Sequence, residues 1–261
     1  MSSSSLSPPA SLSSSPLSSP PPSPNVSNFI SNPPPEELCF ATTPERKYYK
    51  KDNWFAKRCL RPSEYWTSPR GLIVPRAGKE RIKNEAASLQ FILDETNIPV
   101  PKVYGAFELD GAFWLITEYI EGVDLALLPK EKQLPVLKEL EGHLETLHSL
   151  KSNSVGGPTG IIVPPYRITH ATKQDSWNLR PSPTKEYVFC HNDLSQHNVI
   201  VDPETLKIKA IIDWEYAGFY PGFFEGRFYT RPGPSDALEK YNEKSDTSKL
   251  LEFLESLHIN S

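Results

Sequence analysis

Apolar positions recur at helical spacing in three parts of this chain. Between Lys79 and Glu95, Ile82, Ala86, Leu89 and Leu93 fall on one face, which predicts an amphipathic helix. Asn97, Pro99 and Pro101 follow, and proline lacks the N–H needed to continue a helix, so the helix ends there. From Gln133 to Lys151 a second helix is marked by Leu137, Leu140, Leu144 and Leu147. A shorter amphipathic pattern runs from Lys249 to His258 through Leu250, Leu251, Phe253, Leu254 and Leu257. The pattern is weaker from Glu36 to Trp66, where the expectation is a helix around Lys47 to Leu60.

Strand patterns fill the gaps. Val103 to Glu108 and Ala112 to Tyr119 flank Asp110-Gly111, a strong hairpin signal. Gly71 to Val74, bracketed by Pro69 and Pro75, is a short strand candidate. Later, the apolar run Tyr187 to Cys190 delivers the polar loop His191-Asn-Asp-Leu-Ser-Gln-His-Asn198, which leads into Val199-Ile-Val201. After a turn at Asp202-Pro203-Glu204, the alternating segment Lys207 to Ile212 ends on Asp213. Asp193, Asn198 and Asp213 therefore sit at the ends of short strands that a hairpin can bring together. The arrangement suits phosphoryl transfer. One carboxylate, Asp193, orients the attacking hydroxyl, while the amide oxygen of Asn198 and the carboxylate of Asp213 hold Mg²⁺ against nucleotide phosphates.

Composition narrows the setting. Of the 261 residues, those from 1 to 35 are mostly Ser and Pro, and such a segment is expected to stay disordered. About 225 residues remain, enough for a two-lobed enzyme. The first basic residue is Arg46, so the start resembles neither a secretory signal nor an Arg-rich transit peptide. No apolar run approaches the ~20 residues of a membrane span. Three cysteines without metal-ligand spacing point to a reduced, cytoplasmic chain with no membrane partner. The net charge of −4 hides a basic stretch from Arg46 to Lys83, which either attracts phosphates or forms a solvated surface. It lacks the aromatic interleaving of a single-strand binding platform, so nucleic acid is not an expected partner.

The spacing from His191 to Asn198, with Asp213-Trp-Glu-Tyr-Ala after a strand, resembles the catalytic and metal-binding segments of kinase-like enzymes. The wording is most similar to the aminoglycoside phosphotransferase and choline kinase superfamily, and within it to a fungal aminoglycoside-phosphotransferase-like branch. Asn97-Ile-Pro-Val-Pro-Lys-Val-Tyr104, Leu115-Ile-Thr-Glu-Tyr-Ile-Glu-Gly122 and Leu147-His-Ser-Leu150 fit the same resemblance, which covers roughly residues 45 to 225. It implies an α+β, two-lobed protein-kinase-like fold. A small β-rich lobe over 36–119 would bind ATP, and a larger, mainly helical lobe over 120–261 would carry the catalytic loop.

It further implies that the hinge after Glu118, including Ile120, lends backbone groups to the adenine edge, with Gly122 permitting a tight turn. His191 would support the loop by hydrogen bonding. The rival reading of His191, Asp193 and His197 as hydrolase metal ligands lacks a completed shell. Glu85 would be the helix acid that pairs with a strand lysine at the α/β-phosphates. That strand position reads Val74-Pro75-Arg76, so Arg76, or else Lys79, is expected to contact the phosphates. Gly78-Lys79 is not a phosphate loop, because Ile73 and Glu80 stand where Gly and Ser/Thr are required. The long connection from 152 to 184 holds two candidate acceptor-site segments, Val163 to Arg167 and the Trp177 region.

The expected activity is transfer of the ATP γ-phosphoryl group to a hydroxyl of a small molecule. The missing glycine loop and Arg76 favour a non-catalytic nucleotide-binding module instead. A Ser/Thr protein kinase is the third reading, against which stands Asp213-Trp-Glu in place of Asp-Phe-Gly.

Overall fold

The computed structural model describes residues 26–259 apart from 173, 175 and 185. Most of the Ser/Pro-rich tail, residues 1–25, lies outside the described residues. Residues 26–35, within the stretch expected to be disordered, are described. Residues Val26–Ser31 form a short helix, α1, and Phe29 is buried edge-on against Trp54 with ring centroids 5.3 Å apart. This aromatic contact removes apolar surface from water and packs the segment on the sheet.

The first lobe is an antiparallel sheet with one helix across it. Its strands are β1 (Cys39–Thr42), β2 (Arg46–Lys51), β3 (Trp54–Cys59), β6 (Val103–Leu109) and β7 (Ala112–Glu118), in the order β1-β2-β3-β7-β6. A two-residue hairpin, β4 (Thr67–Ser68) and β5 (Gly71–Leu72), stands outside this sheet. The expected strand Gly71 to Val74 is thus shorter than its pattern.

The helix expected over Lys47 to Leu60 is instead the β2–β3 hairpin, with Tyr48 opposite Lys57 and Lys51 opposite Trp54. Two aromatic-rich runs flank Asp52-Asn53, and the positive φ of 50° at Asp52 supplies the tight turn. Tyr49, Trp54 and Ala56 enter the core from this hairpin. Such alternate burial is what a pleated strand allows and a helix does not.

Helix α2 (Gly78–Glu95) covers the sheet with Ile82, Leu89 and Ile92, each buried. Burying an aliphatic side chain of this size contributes about 1.5–3 kcal/mol. The opposite end of its packed face reaches the second lobe, where Asn84 Nδ2 donates to the carbonyls of Glu215 (3.0 Å) and Ala217 (2.8 Å). The helix therefore fixes the turn after Asp213 relative to the sheet.

The second lobe follows the linker after Glu118. It contains β8 (Val123–Asp124), α3 (Lys130–Ser149), β9 (Lys151–Ser152), α4 (Tyr166–Ala171), β10 (Tyr187–Cys190), β11 (Val199–Val201), β12 (Ile208–Ile211), β13 (Gly218–Tyr220) and α5 (Thr247–Leu257). Two three-stranded sheets, β13-β10-β9 and β12-β11-β8, frame the loop between β10 and β11. Gly122 serves a close approach rather than a positive-φ turn: a Cβ there would lie 2.6 Å from Ile200 Cγ2 and 2.8 Å from the Val201 carbonyl oxygen. The linker can thus lie directly on β11. No helix among the described residues is long and apolar enough to cross a membrane.

Candidate active site

Strands β11 and β12 pair antiparallel, with Val199 opposite Ile211, and the Ile212 N–H donates to the Asn198 carbonyl at 3.0 Å. This register places Asn198 and Asp213 side by side at the mouth of the hairpin. Asp213 has φ 66°, so the chain turns sharply as it leaves β12 and sends its carboxylate toward the first lobe. A non-glycine residue in the left-handed region is a sparsely populated state that surrounding contacts must hold.

Those contacts are ionic. Lys57 Nζ, from β3, lies 2.8 Å from Asp213 Oδ1 and 2.5 Å from Glu85 Oε2. Glu85, placed on the packed face of α2, has therefore found a strand cation, as expected, but that cation is Lys57. Arg76 and Lys79 are elsewhere. Arg76 Nη1 donates to the carbonyls of Thr169 (3.2 Å) and Thr172, at the end of α4. Lys79 Nζ holds Glu108 at 2.6 Å on the outside of the sheet. Arg76 and Lys79, expected beside Glu85, are thus corrected: the cation that meets Glu85 and Asp213 is Lys57. In strand β3, Lys57 points opposite to its neighbours and into the cleft, a direction that a helix over Lys47 to Leu60 would not give it.

A second ring of charge lies beneath this one. Buried Glu215 takes Arg46 and Arg81, the latter at 2.5 Å, while Arg81 Nη1 reaches Glu45 at 2.9 Å. Arg46 Nη1 is also 4.0 Å from Asp213. Burial alone would push the Asp213 carboxyl up, but Lys57 and then Arg46 outweigh it and hold Asp213 well below the usual carboxylate range. Burial likewise tends to lower Lys57, yet Asp213 and Glu85 raise it, so its ammonium remains charged.

The loop between β10 and β11 is supported from several sides. His191 Nδ1 accepts the Asp193 N–H at 3.3 Å, and Nε2 meets the Ile212 carbonyl at 2.9 Å. Since a carbonyl can only accept, Nε2 carries the proton and the imidazole is neutral. Burial pushes its pKa down to about 4. With both nitrogens engaged, His191 supports the loop as expected and leaves no lone pair for a hydrolase metal. Glu225 accepts the N–H groups of His191 (2.6 Å) and Asn192 (3.2 Å). Arg167 Nη1 donates to the Asn192 carbonyl at 3.2 Å and clamps Asp246 with Nε at 2.7 Å and Nη2 at 3.0 Å. The segment Val163 to Arg167, expected to line an acceptor site, thus contributes a positioning arginine. Trp177 is buried, with its ring centroid 6.4 Å from that of His258, and serves packing.

Asp193 stands at the other side of this loop. Its carbonyl accepts Asn198 Nδ2 at 2.8 Å, and its Oδ1 accepts the Ser235 hydroxyl. Burial pushes Asp193 up to about 6, against the lowering influence of the Ser235 hydrogen bond. Because Asn198 commits its nitrogen, its amide oxygen is the atom left for a ligand. An amide oxygen beside a fully ionised carboxylate is the hard donor set that suits Mg²⁺.

Between the lobes lies a cleft of about 270 Å³. One wall is apolar and aromatic, built from Tyr48, Phe55, Leu89, Leu115, Ile200 and Ile212. The inner end is polar, built from Lys57, Glu85, Asn198 and Asp213, and the outer edge is the linker Glu118, Tyr119 and Ile120. The Glu118 N–H donates to the Lys102 carbonyl at 2.8 Å and that of Tyr119 to the Asn53 carbonyl at 2.9 Å. Glu118 and Ile120 thus line the cleft, while the Glu118 and Tyr119 N–H groups are tied to the first lobe. The cleft thus pairs an apolar, aromatic wall with an inner end that carries a cation beside two oxygen donors.

Sequence reasoning missed Lys57, Arg46 and Glu225. The hairpin signal around Asp52-Asn53 could have revealed Lys57, whereas Glu225 carries no local signal. Where a phosphate-covering glycine loop would be sought, β1 and β2 are joined by the short turn Thr43-Pro44-Glu45.

Sheet, cross-lying helix, linker and loop together define a two-lobed α+β protein of the kinase-like class. The chain belongs to the phosphotransferase enzyme family, whose pattern matches residues 45–225. It is 26% identical over 166 residues to aminoglycoside 3'-phosphotransferase of Streptomyces fradiae, a match covering 54% of this chain and 62% of that protein. The chain thus spans less than two thirds of the length of this curated relative. Among solved structures, aminoglycoside phosphotransferase APH(3'')-Id from Streptomyces rimosus, in complex with ADP and streptomycin, superposes with a TM-score of 0.53 at 14% identity. That match covers 90% of this chain and 92% of the other. A second structure of the same protein gives a TM-score of 0.50 at 14% identity, covering 81% and 82%. These likenesses establish the shared fold.

Proposed function

We infer that this protein transfers the γ-phosphoryl group of ATP to a hydroxyl of a small molecule. The observation that carries this reading is the position of Lys57, held between Glu85 and Asp213 at the polar end of the cleft. The chain has built a strand cation and helix acid at the place where nucleotide phosphates would lie. Residues 36–119 would form the nucleotide-binding lobe and 120–261 the catalytic one. The base would slide between Tyr48, Phe55 and the aliphatic wall, with its edge toward the linker at Ile120. Lys57 would contact the α/β-phosphates.

Asn198 and Asp213 would hold Mg²⁺, which when bound neutralises charge on the phosphates. Asp193 would accept the proton of the acceptor hydroxyl, and its raised pKa of about 6 suits a base working near neutrality. His191 and Glu225 keep the loop in register without touching substrate. The case for a non-catalytic binding module rested on Arg76 and on the missing glycine loop; the Lys57–Glu85 pair removes the first ground, and the glycine-free turn Thr43-Pro44-Glu45 leaves the second for the turnover assay to decide.

The test is Mg²⁺-dependent nucleotide turnover against a panel of hydroxylated and amino metabolites, with Asp193→Asn as control. Turnover in the wild type with unimpaired nucleotide affinity but lost turnover in the mutant is expected. A folded wild type that binds no nucleotide, or a mutant as fast as wild type, overturns the reading.

A further inference from the structure

The hydroxyl that Asp193 holds belongs to the protein itself. Ser235 Oγ donates to Asp193 Oδ1, so it occupies the place in which a base receives an acceptor hydroxyl. This contact is not a chance meeting of a loose loop with the site. Arg231, 6% exposed, spans the segment from beneath, donating from Nη1 to the Pro234 carbonyl (2.8 Å) and from Nη2 to the Ser235 carbonyl (3.2 Å). Its Nε is shared between the two oxygens of Glu243, each at 2.9 Å, and its guanidinium lies 4.5 Å from the Tyr241 ring centroid. Gly233, at φ 95°, lets the chain bend toward Asp193. All the anchors grip backbone or neighbouring residues, which leaves the Ser235 hydroxyl as the group presented to the carboxylate.

We propose that Ser235 is an internal phosphoryl acceptor, so that the chain phosphorylates itself at this residue. The proposal rests on the phosphotransferase reading of the cleft. In the step, Asp193 takes the proton from Ser235 Oγ as Oγ bonds to the γ-phosphorus of ATP. The bond from that phosphorus to the β,γ-bridging oxygen breaks, ADP departs, and Asp193 passes the proton to solvent. Holding an acceptor against its base replaces a bimolecular encounter by an intramolecular one, which is a large kinetic advantage. The product carries about −1.5 to −2 charges at neutral pH, and such a group cannot remain against the Asp193 carboxylate. The segment then withdraws and clears the position that a small acceptor must occupy.

The experiment uses the full chain, treated with a phosphatase and then incubated with Mg-ATP at several protein concentrations. Intact-mass measurement and fragmentation follow the label, and calorimetry follows nucleotide binding. Expected are one phosphoryl group on Ser235, a rate independent of protein concentration, loss of the label in Ser235→Ala, and its retention on the hydroxyl of Ser235→Thr. Label on another residue, a rate rising with protein concentration, or no label in a protein that binds Mg-ATP overturns the proposal. In the last case, turnover of a small acceptor leaves the phosphotransferase reading standing. Failure to bind nucleotide at all overturns both.

Discussion

Lys57 and Lys79 each hold a glutamate at nearly the same distance, 2.5 Å to Glu85 and 2.6 Å to Glu108. Their surroundings differ completely. The side chains of Lys57 and Glu85 are 7% and 5% exposed, whereas those of Lys79 and Glu108 are 38% and 50% exposed. At the surface, water already solvates both charges and the pair does little for either. In the cleft, neither charge has that alternative, so each depends on the other and on Asp213. Separation therefore says little about what an ion pair does. What matters is whether water can replace the partner.

The comparison is broken most forcefully by Lys57→Met. Leaving Glu85 and Asp213 without their shared cation should cost about 3–5 kcal/mol by urea denaturation, the usual consequence of stranding a buried charge. Mg-nucleotide affinity should fall with it. A stability equal to wild type would mean that water reaches the pair after all.

Asp193, on the loop beside the cleft, is probed through chemistry. Asp193→Asn should lower turnover by on the order of 10²-fold while nucleotide affinity survives. Its carboxyl must be ionised to accept a proton, and ionisation is complete only above its raised pKa. The wild-type rate should therefore decline as pH falls through about 6 rather than through the usual carboxylate range. An acid limb near 4 would show that burial does not tune this group.

Phenylalanines offer the apolar version of the contrast. Phe29 is 8% exposed against Trp54, and Phe40 is 61% exposed. Phe29→Ala should cost about 1.5–3 kcal/mol in the same denaturation assay, and Phe40→Ala far less. Equal effects would detach α1 from the fold. The smallest effect belongs to Lys79→Met, which should leave both stability and nucleotide affinity indistinguishable from wild type; a clear loss of affinity would return Lys79 to the phosphates.

Helices α2, α3 and α5 were legible because each carries an apolar face at helical spacing over at least two turns. The β6–β7 hairpin was legible from Asp110-Gly111, a turn signal that needs no distant partner. Asp193, Asn198 and Asp213 could be grouped from sequence because one loop and one hairpin carry all three. The β2–β3 hairpin was misread since its apolar residues are mixed with lysines that look solvated until the sheet exists. Arg76 stands just after the strand pattern that ends at Val74, so the sequence offers it as the strand cation. Yet Lys57 is 156 residues from Asp213 in sequence, and no local pattern links the two.

By itself, the sequence grouped the residues on which the proposed chemistry rests, through the order and spacing of Asp193, Asn198 and Asp213. It also bounded α2 to within a residue, because propensity and periodicity act over a few residues, whereas α3 begins at Lys130 and ends at Ser149 against an expected Gln133 to Lys151. Tertiary structure alone decided which cation faces the cleft, that Glu225 and Arg167 brace the catalytic loop, and that Ser235 reaches Asp193. Each of those outcomes depends on which charges are taken out of water together. Removal from water is a property of the packed chain, since distant segments must first exclude solvent from one another before a carboxylate has any need of a particular partner.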